Sequence, residues 1–187
     1  FSSLLALFFL PKHFFFPGFS AASGGLPREA DYAARRAGFS PQAFREEFGL
    51  PETEPDCTTI SLFSYPNPRL PGLIAQWANS PSPILLLRPG FDGSASRAGN
   101  LTMLPFPFLP QARYDELLWF CDLNFVRGED SFVRAQLAAK PLIWHIYPQD
   151  ADTHQTKLEA FLARYASDAR VSPGGTASDK AVSAFTA

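Results

Sequence analysis

From Thr58 onward the chain alternates short apolar or β-branched runs with segments whose apolar residues recur at helical spacing. Ile60 to Tyr65, Pro83 to Arg88, Leu123 to Val126 and Leu142 to Ile146 predict strands, and Leu101 to Leu104 a weaker one. Between and after them, Leu70 to Asn79, Ala112 to Phe120, Asp130 to Ala139 and Asp152 to Ala166 predict helices. The last puts Leu158, Phe161, Leu162 and Tyr165 on one stripe, at the spacing of an amphipathic helix. Asp115 and Glu116 fall in the first turn of their predicted helix, where carboxylates suit the macrodipole. Earlier in the chain, Pro27 to Ala37 predicts a short helix ending at Gly38. Ser40-Pro41 caps and starts another through Phe48, which Gly49 and Pro51 close. Strand and helix in alternation imply βαβ units, hence an α/β fold around a parallel sheet. No internal repeat interrupts the pattern.

The ends depart from it. Seven of the 19 Phe lie in the first 19 residues, including Phe14, Phe15 and Phe16, a surface that calls for a cover. The sole Met is Met103, so Phe1 reads as the start of a processed chain or of a piece of something longer, and we expect the latter. The run Leu4 to Leu10 lacks the basic flank and small-residue cleavage site of a secretion signal. It is also far short of the ~20 residues of a spanning helix. From about Ser167 the composition turns to Ala, Ser, Asp, Gly and Thr, the reading of a mobile tail.

Charge and cysteine content narrow the chemistry. A net charge of -2 gives no general attraction to nucleic acid or an anionic membrane, so any phosphate site must be local. Cys57 and Cys121 are too few for a disulfide framework or a four-ligand zinc site, in keeping with a reducing, cytoplasmic setting. No metal-binding spacing, P-loop, Gly-x-Gly-x-x-Gly turn or nucleophile elbow is present.

In an open parallel sheet, ligands bind beyond the carboxyl ends of the strands. Four segments aim there: Tyr65, the loop Phe106 to Gln111, Arg127-Gly128-Glu129-Asp130-Ser131, and Tyr147-Pro148-Gln149. Arg127 to Ser131 is the strongest. Its Gly permits close backbone approach, the helix start offers free N–H groups, Arg127 adds a forked cation and Ser131 a hydroxyl, together a phosphate site. Glu129 and Asp130 would repel a diphosphate and are expected at sugar hydroxyls or at the capping position. The plainer alternative makes Asp130 or Ser131 an N-cap and Arg127 one half of a surface ion pair. Three prolines stiffen Leu104 to Gln111, so Phe106 and Phe108 divide between the core and a stacked base, or both pack in the core. His145 in a strand reads as a hydrogen-bonded structural residue, and His154 with Lys157 as a solvated helix face.

The residues Pro107-Phe108-Leu109-Pro110-Gln111, Tyr114 to Trp119, Cys121-Asp122-Leu123-Asn124-Phe125-Val126-Arg127-Gly128-Glu129-Asp130-Ser131 onward to Gln136, and Trp144-His145-Ile146-Tyr147-Pro148-Gln149 closely resemble the bacterial protein-arginine rhamnosyltransferases that modify elongation factor P. Phe14 to Phe19, Gly24-Gly25-Leu26 and Ser61 to Tyr65 add landmarks, and the likeness runs roughly from His13 to Leu162. The resemblance implies a Rossmann-like sheet flanked by helices, the C-terminal half of a GT-B glycosyltransferase. That half would hold dTDP-β-L-rhamnose, whose sugar passes to an arginine of elongation factor P with inversion and without metal or other cofactor. Carried over by position, Phe108 stacks on thymine and Gln111 holds the base. Phe63 and Tyr65 line the pocket, Tyr147 and Ser131 meet the diphosphate, and Arg127, Glu129 and Asp130 order diphosphate and rhamnose as the catalytic group. Leu137-Ala138-Ala139 and Pro27 depart from the family pattern.

The expected organisation is a remnant of the preceding half and linker over 1–56, the nucleotide-sugar domain over 57–166 and a flexible tail over 167–187. The family's N-terminal half, with the carboxylates that activate the acceptor, is expected to lie outside these residues, leaving the chain alone inactive. Neither nucleic acid nor membrane is expected as a partner. The alternative is a non-catalytic nucleotide-sugar or protein-binding module on the same shell.

Overall fold

The computed structural model describes Gly18 and residues 23–147 and 153–168. The Phe-rich opening, Pro148-Gln149, the side chain of Tyr165 and the tail beyond Asp168 lie outside the described residues. The chain divides into two compact units, 1–38 and 39–187. In the first, helix α1 (Tyr32–Ala37) starts later than Pro27 and stops at Gly38, whose N–H returns to the Ala34 carbonyl. Arg35 pairs there with Glu29 and Asp31.

The second unit opens with α2 (Pro41–Glu47), capped as expected by the Ser40 hydroxyl, which accepts from the Ala43 N–H. It continues β1 (Thr58–Leu62), α3 (Leu70–Ala78), β2 (Ile84–Pro89), β3 (Ser96–Ala98), β4 (Leu101–Phe106), α4 (Gln111–Phe120), β5 (Leu123–Arg127), α5 (Asp130–Ala138), β6 (Leu142–His145) and α6 (Thr153–Asp168). The six strands form one sheet in the order β3-β4-β2-β1-β5-β6, parallel except for β3. The expected α/β class and Rossmann-like sheet are borne out.

Three boundaries differ for physical reasons. β1 stops at Leu62 rather than Tyr65: after the Phe63 N–H bonds the Phe125 carbonyl, Pro66 and Pro68 remove the donors that a ladder needs. β4 runs through Pro105 because β3 pairs only with Leu101 to Met103, leaving Pro105 where the strand has lost its outer partner. β3 lies between the predicted strands Pro83 to Arg88 and Leu101 to Leu104, where no element was predicted. Its three exposed residues carry no apolar signal, and the hairpin turn Gly99-Asn100 is set by Gly99 at φ 53° against the Ala78 carbonyl.

Both sheet faces are covered, which is why Ile84 to Leu87 can be apolar throughout. Leu85 and Leu87 join Phe44, Phe106, Leu117 and Phe120 on one side. Ile84 and Leu86 join Ile60, Leu62, Leu101, Phe125 and Ile143 on the other. Burying each such side chain stabilises the fold by roughly 1.5–3 kcal/mol. Cys57 and Cys121 are free thiols. Among the described residues no helix is long and apolar enough to cross a membrane.

The strand order carries the functional consequence. From β1 the chain winds outward through β2 to β4. It then crosses over α4 to β5 on the opposite side of β1 and winds away to β6. The reversal puts a crevice beyond the carboxyl ends of β1 and β5, where such sheets receive ligands.

Candidate functional site

Phe63, Ser64 and Tyr65 leave the end of β1, and Arg127 and Gly128 leave the end of β5. Arg127 bridges them. Its guanidinium carbon stands 4.2 Å from the Phe63 ring centroid and 5.0 Å from that of Tyr65, and one arm donates to the Ser64 carbonyl at 3.4 Å. The surface ion pair considered for Arg127 is therefore replaced by an aromatic seat.

The turn from β5 into α5 is fixed from several directions. Ser131 Oγ accepts from the Arg127 N–H at 3.1 Å and donates to the Arg127 carbonyl, so it closes the turn instead of capping the helix. The N-cap position belongs to Glu129, whose side chain makes no capping bond. This corrects the reading of Asp130 or Ser131 as N-cap, and a helix start without a side-chain cap is of the kind that suits an anion. Gly128 adopts φ 65°, and a β-carbon there would come within 3.1 Å of Tyr65 Oη. Trp144 Nε1 donates to the Gly128 carbonyl at 2.6 Å, its ring stacked on Phe132 at 3.8 Å.

Across the crevice, the proline-rich segment delivers its two rings to opposite fates. Phe106 is buried among Phe44 and Phe48, while Phe108 is 66 % exposed, edge-on to Phe63 at 6.1 Å. Gln111 begins α4 directly after Pro110, which places it at the mouth. Together Phe63, Phe108, Gln111, Arg127, Glu129, Asp130 and Ser131 line one cavity of about 450 Å³, within the range of small-molecule sites. Tyr65 and Tyr147 are not among those lining residues; Tyr65 stands against the Arg127 guanidinium, and its ring lies 5.4 Å from that of Tyr147, which is 58 % exposed.

The charges are unequal in standing. Glu129 accepts from Lys157 Nζ at 3.2 Å in an exposed pair, in keeping with the solvated face read for Lys157. His145 Nδ1 accepts from the Tyr65 N–H at 3.2 Å. Burial and the nearby Arg127 charge both lower its pKa, in keeping with that acceptor role. Tyr114 lines the cavity with a buried phenol. Burial raises its pKa against the opposing pull of Ser131 and Arg127.

Sequence reasoning missed Pro89, Tyr114 and Arg134 in the cavity wall. It also misplaced two carboxylates. Because α4 starts at Gln111, Asp115 is past the first turn, fully buried and paired with Arg134, while Glu116 pairs with Arg113. The signal that could have found Arg134 is a charge among the apolar positions Phe132, Ala135 and Ala138 of α5. Among the described residues no three His, Cys, Asp or Glu side chains gather as a metal site.

This geometry has relatives. The family model for elongation factor P (EF-P) rhamnosyltransferase EarP matches residues 2–186. A protein-arginine rhamnosyltransferase of Pseudomonas putida is 44 % identical over a match covering 83 % of this chain and 47 % of the relative. Its counterpart in Shewanella oneidensis is 39 % identical, over 83 % and 46 %. The chain thus spans about half the length of the curated relatives it matches. A solved structure described as the structural basis for EarP-mediated arginine glycosylation of translation elongation factor EF-P superposes with a TM-score of 0.72 at 40 % identity. That match covers 86 % of this chain and 56 % of that one. The fold is that of the C-terminal half of a GT-B glycosyltransferase, and the chain belongs to the EF-P rhamnosyltransferase (EarP) family.

Proposed function

We propose that this chain is the donor-binding half of a cytoplasmic enzyme that moves L-rhamnose from dTDP-β-L-rhamnose to an arginine of elongation factor P, with inversion. The observation that carries the reading is the seating of Arg127 against Phe63 and Tyr65, beside the uncapped start of α5. A cation held by aromatic faces and one backbone carbonyl keeps donors for a ligand. A helix start without a side-chain cap offers its N–H groups to the same ligand. Both favour a diphosphate.

In this arrangement thymine stacks on the exposed Phe108, with Gln111 at its edge and Phe63 lining the wall. The diphosphate lies between Arg127 and α5, with Ser131 and Tyr147 flanking it, and Glu129 and Asp130 face the rhamnose. As the sugar departs, negative charge grows on the β-phosphate. Donors already fixed in place stabilise that charge more than they stabilise the ground state, which lowers the barrier.

The acceptor is the harder partner. A guanidinium stays protonated to above pH ~12 and is a poor nucleophile, so a carboxylate must orient it and receive its proton. Glu129 is engaged by Lys157, and Asp130 stands in the first turn of α5 beside the leaving group. We therefore assign the activating carboxylate to a part of the enzyme beyond this chain.

Incubating elongation factor P and dTDP-rhamnose with the enzyme, then reading arginine modification by peptide mass spectrometry, tests the activity. Modification that is lost in Arg127→Ala is expected. Transfer by residues 1–187 alone would contradict the assignment of the base.

A further inference from the structure

Beneath the cavity lies a charged pair that ligand contact alone does not explain. Arg134 Nε donates to Asp115 Oδ1 at 2.6 Å, and a second arm of the same guanidinium reaches the other carboxylate oxygen. Asp115 is fully buried and Arg134 only 3 % exposed. Removing two charges from water offsets much of their attraction, and well-packed apolar side chains commonly serve a core as well or better. Stability is thus a weak reason for the pair.

Its placement supplies a stronger one. Asp115 stands one turn beyond Gln111 on α4, and Arg134 one turn beyond Ser131 on α5. Both helices supply lining residues, Gln111 from α4 and Asp130 and Ser131 from α5, and Arg134 itself forms part of the wall. A two-armed guanidinium–carboxylate contact fixes direction as well as distance. We propose that Asp115 and Arg134 are positioning residues that set the spacing between the nucleobase end and the diphosphate end of the donor site. The inference rests on the donor reading given above.

The consequence is specific. A ligand touching only the α4 end should be indifferent to the pair, whereas one spanning both ends should depend on it. The probes are thymidine and dTDP, titrated calorimetrically into the enzyme and into the double variant Asp115→Leu/Arg134→Met, with thermal unfolding of each. The expected result is a folded variant with thymidine affinity unchanged and dTDP affinity lowered about tenfold, the scale of coupling between contacting residues. Arg134→Lys, which keeps the charge and loses the fork, should show the same split.

Equal dTDP affinity in a folded variant would overturn the proposal, and so would parallel loss of both ligands. If both variants unfold, the pair holds the fold rather than the spacing, and the proposal fails too. Failure of the unsubstituted enzyme to bind dTDP would instead overturn the donor reading itself.

Discussion

The ring of Phe108 lies so close to the α-carbon of Gly90 that a methyl group there would sit 2.2 Å from the ring's Cζ. Gly90 holds φ 69°, and its N–H bonds the Phe106 carbonyl, so the end of β2 forms a bare backbone shelf beneath the exposed aromatic. Gly90→Ala should push the ring off this shelf. A stacked base contributes roughly 1–3 kcal/mol, so nucleotide affinity should fall at least several-fold. Strain at positive φ should lower unfolding stability by about 1–2 kcal/mol. Calorimetric titration with dTDP and urea unfolding read the two effects separately, and unchanged dTDP affinity would count against Phe108 as the stacking platform.

Arg127→Lys keeps a charge at the end of β5 but loses the planar fork and the stack on Phe63. Affinity for dTDP should drop about tenfold, the scale of one charge-assisted hydrogen bond. Thymidine binding and the melting temperature should stay near their starting values, because Arg127 is only partly buried and makes one long bond to Ser64. Equal losses for both ligands would place Arg127 in the base pocket instead.

Trp144 sits two elements away from the cavity and still governs its shape, because its indole N–H holds the Gly128 carbonyl at 2.6 Å. Trp144→Phe keeps an aromatic ring against Phe132 and removes that donor. The loss should cost about 1 kcal/mol in unfolding free energy. It should also loosen the turn from Arg127 to Ser131, visible as faster amide hydrogen exchange there.

How much of this was legible beforehand follows from where each residue's signal lives. The strand and helix alternation announced the sheet because the continuous apolar run Ile84 to Leu87 and the helical spacing of the α6 stripe are written in the chain itself. The gathering of Tyr65, Phe108, Gln111 and Arg127 at one edge followed from topology, whereas Phe63, inside the strand predicted to run to Tyr65, came only from the family resemblance. Asp115 and Arg134 were not legible as a pair: they are 19 residues apart, and only the packing of α4 against α5 joins them. The role of Ser131 was also hidden, because a hydroxyl at a helix start suits a cap, a phosphate or a turn equally well. β3 escaped because three exposed residues, Ser96, Arg97 and Ala98, look the same in a strand as in a loop.

His145 ties the site to pH. Burial first, and then the Arg127 charge, lower its pKa below the ordinary value of about 6.5. The neutral ring accepts from the Tyr65 N–H, so its stabilisation is fully present above that value and is lost as pH falls through the lowered pKa. Between pH 7 and 5 the unsubstituted protein should lose more stability than His145→Gln, measured by urea unfolding at each pH. Parallel pH profiles would show that the imidazole does not contribute.

The central claim is that the crevice beyond β1 and β5 binds a thymidine diphosphate sugar with its base on Phe108. Titrating dTDP-rhamnose into the folded chain and into Phe108→Ala tests it most directly. The account predicts saturable binding that weakens roughly tenfold or more in the variant, in line with the loss of one stacked base. A folded chain that binds the donor no better than Phe108→Ala would contradict it.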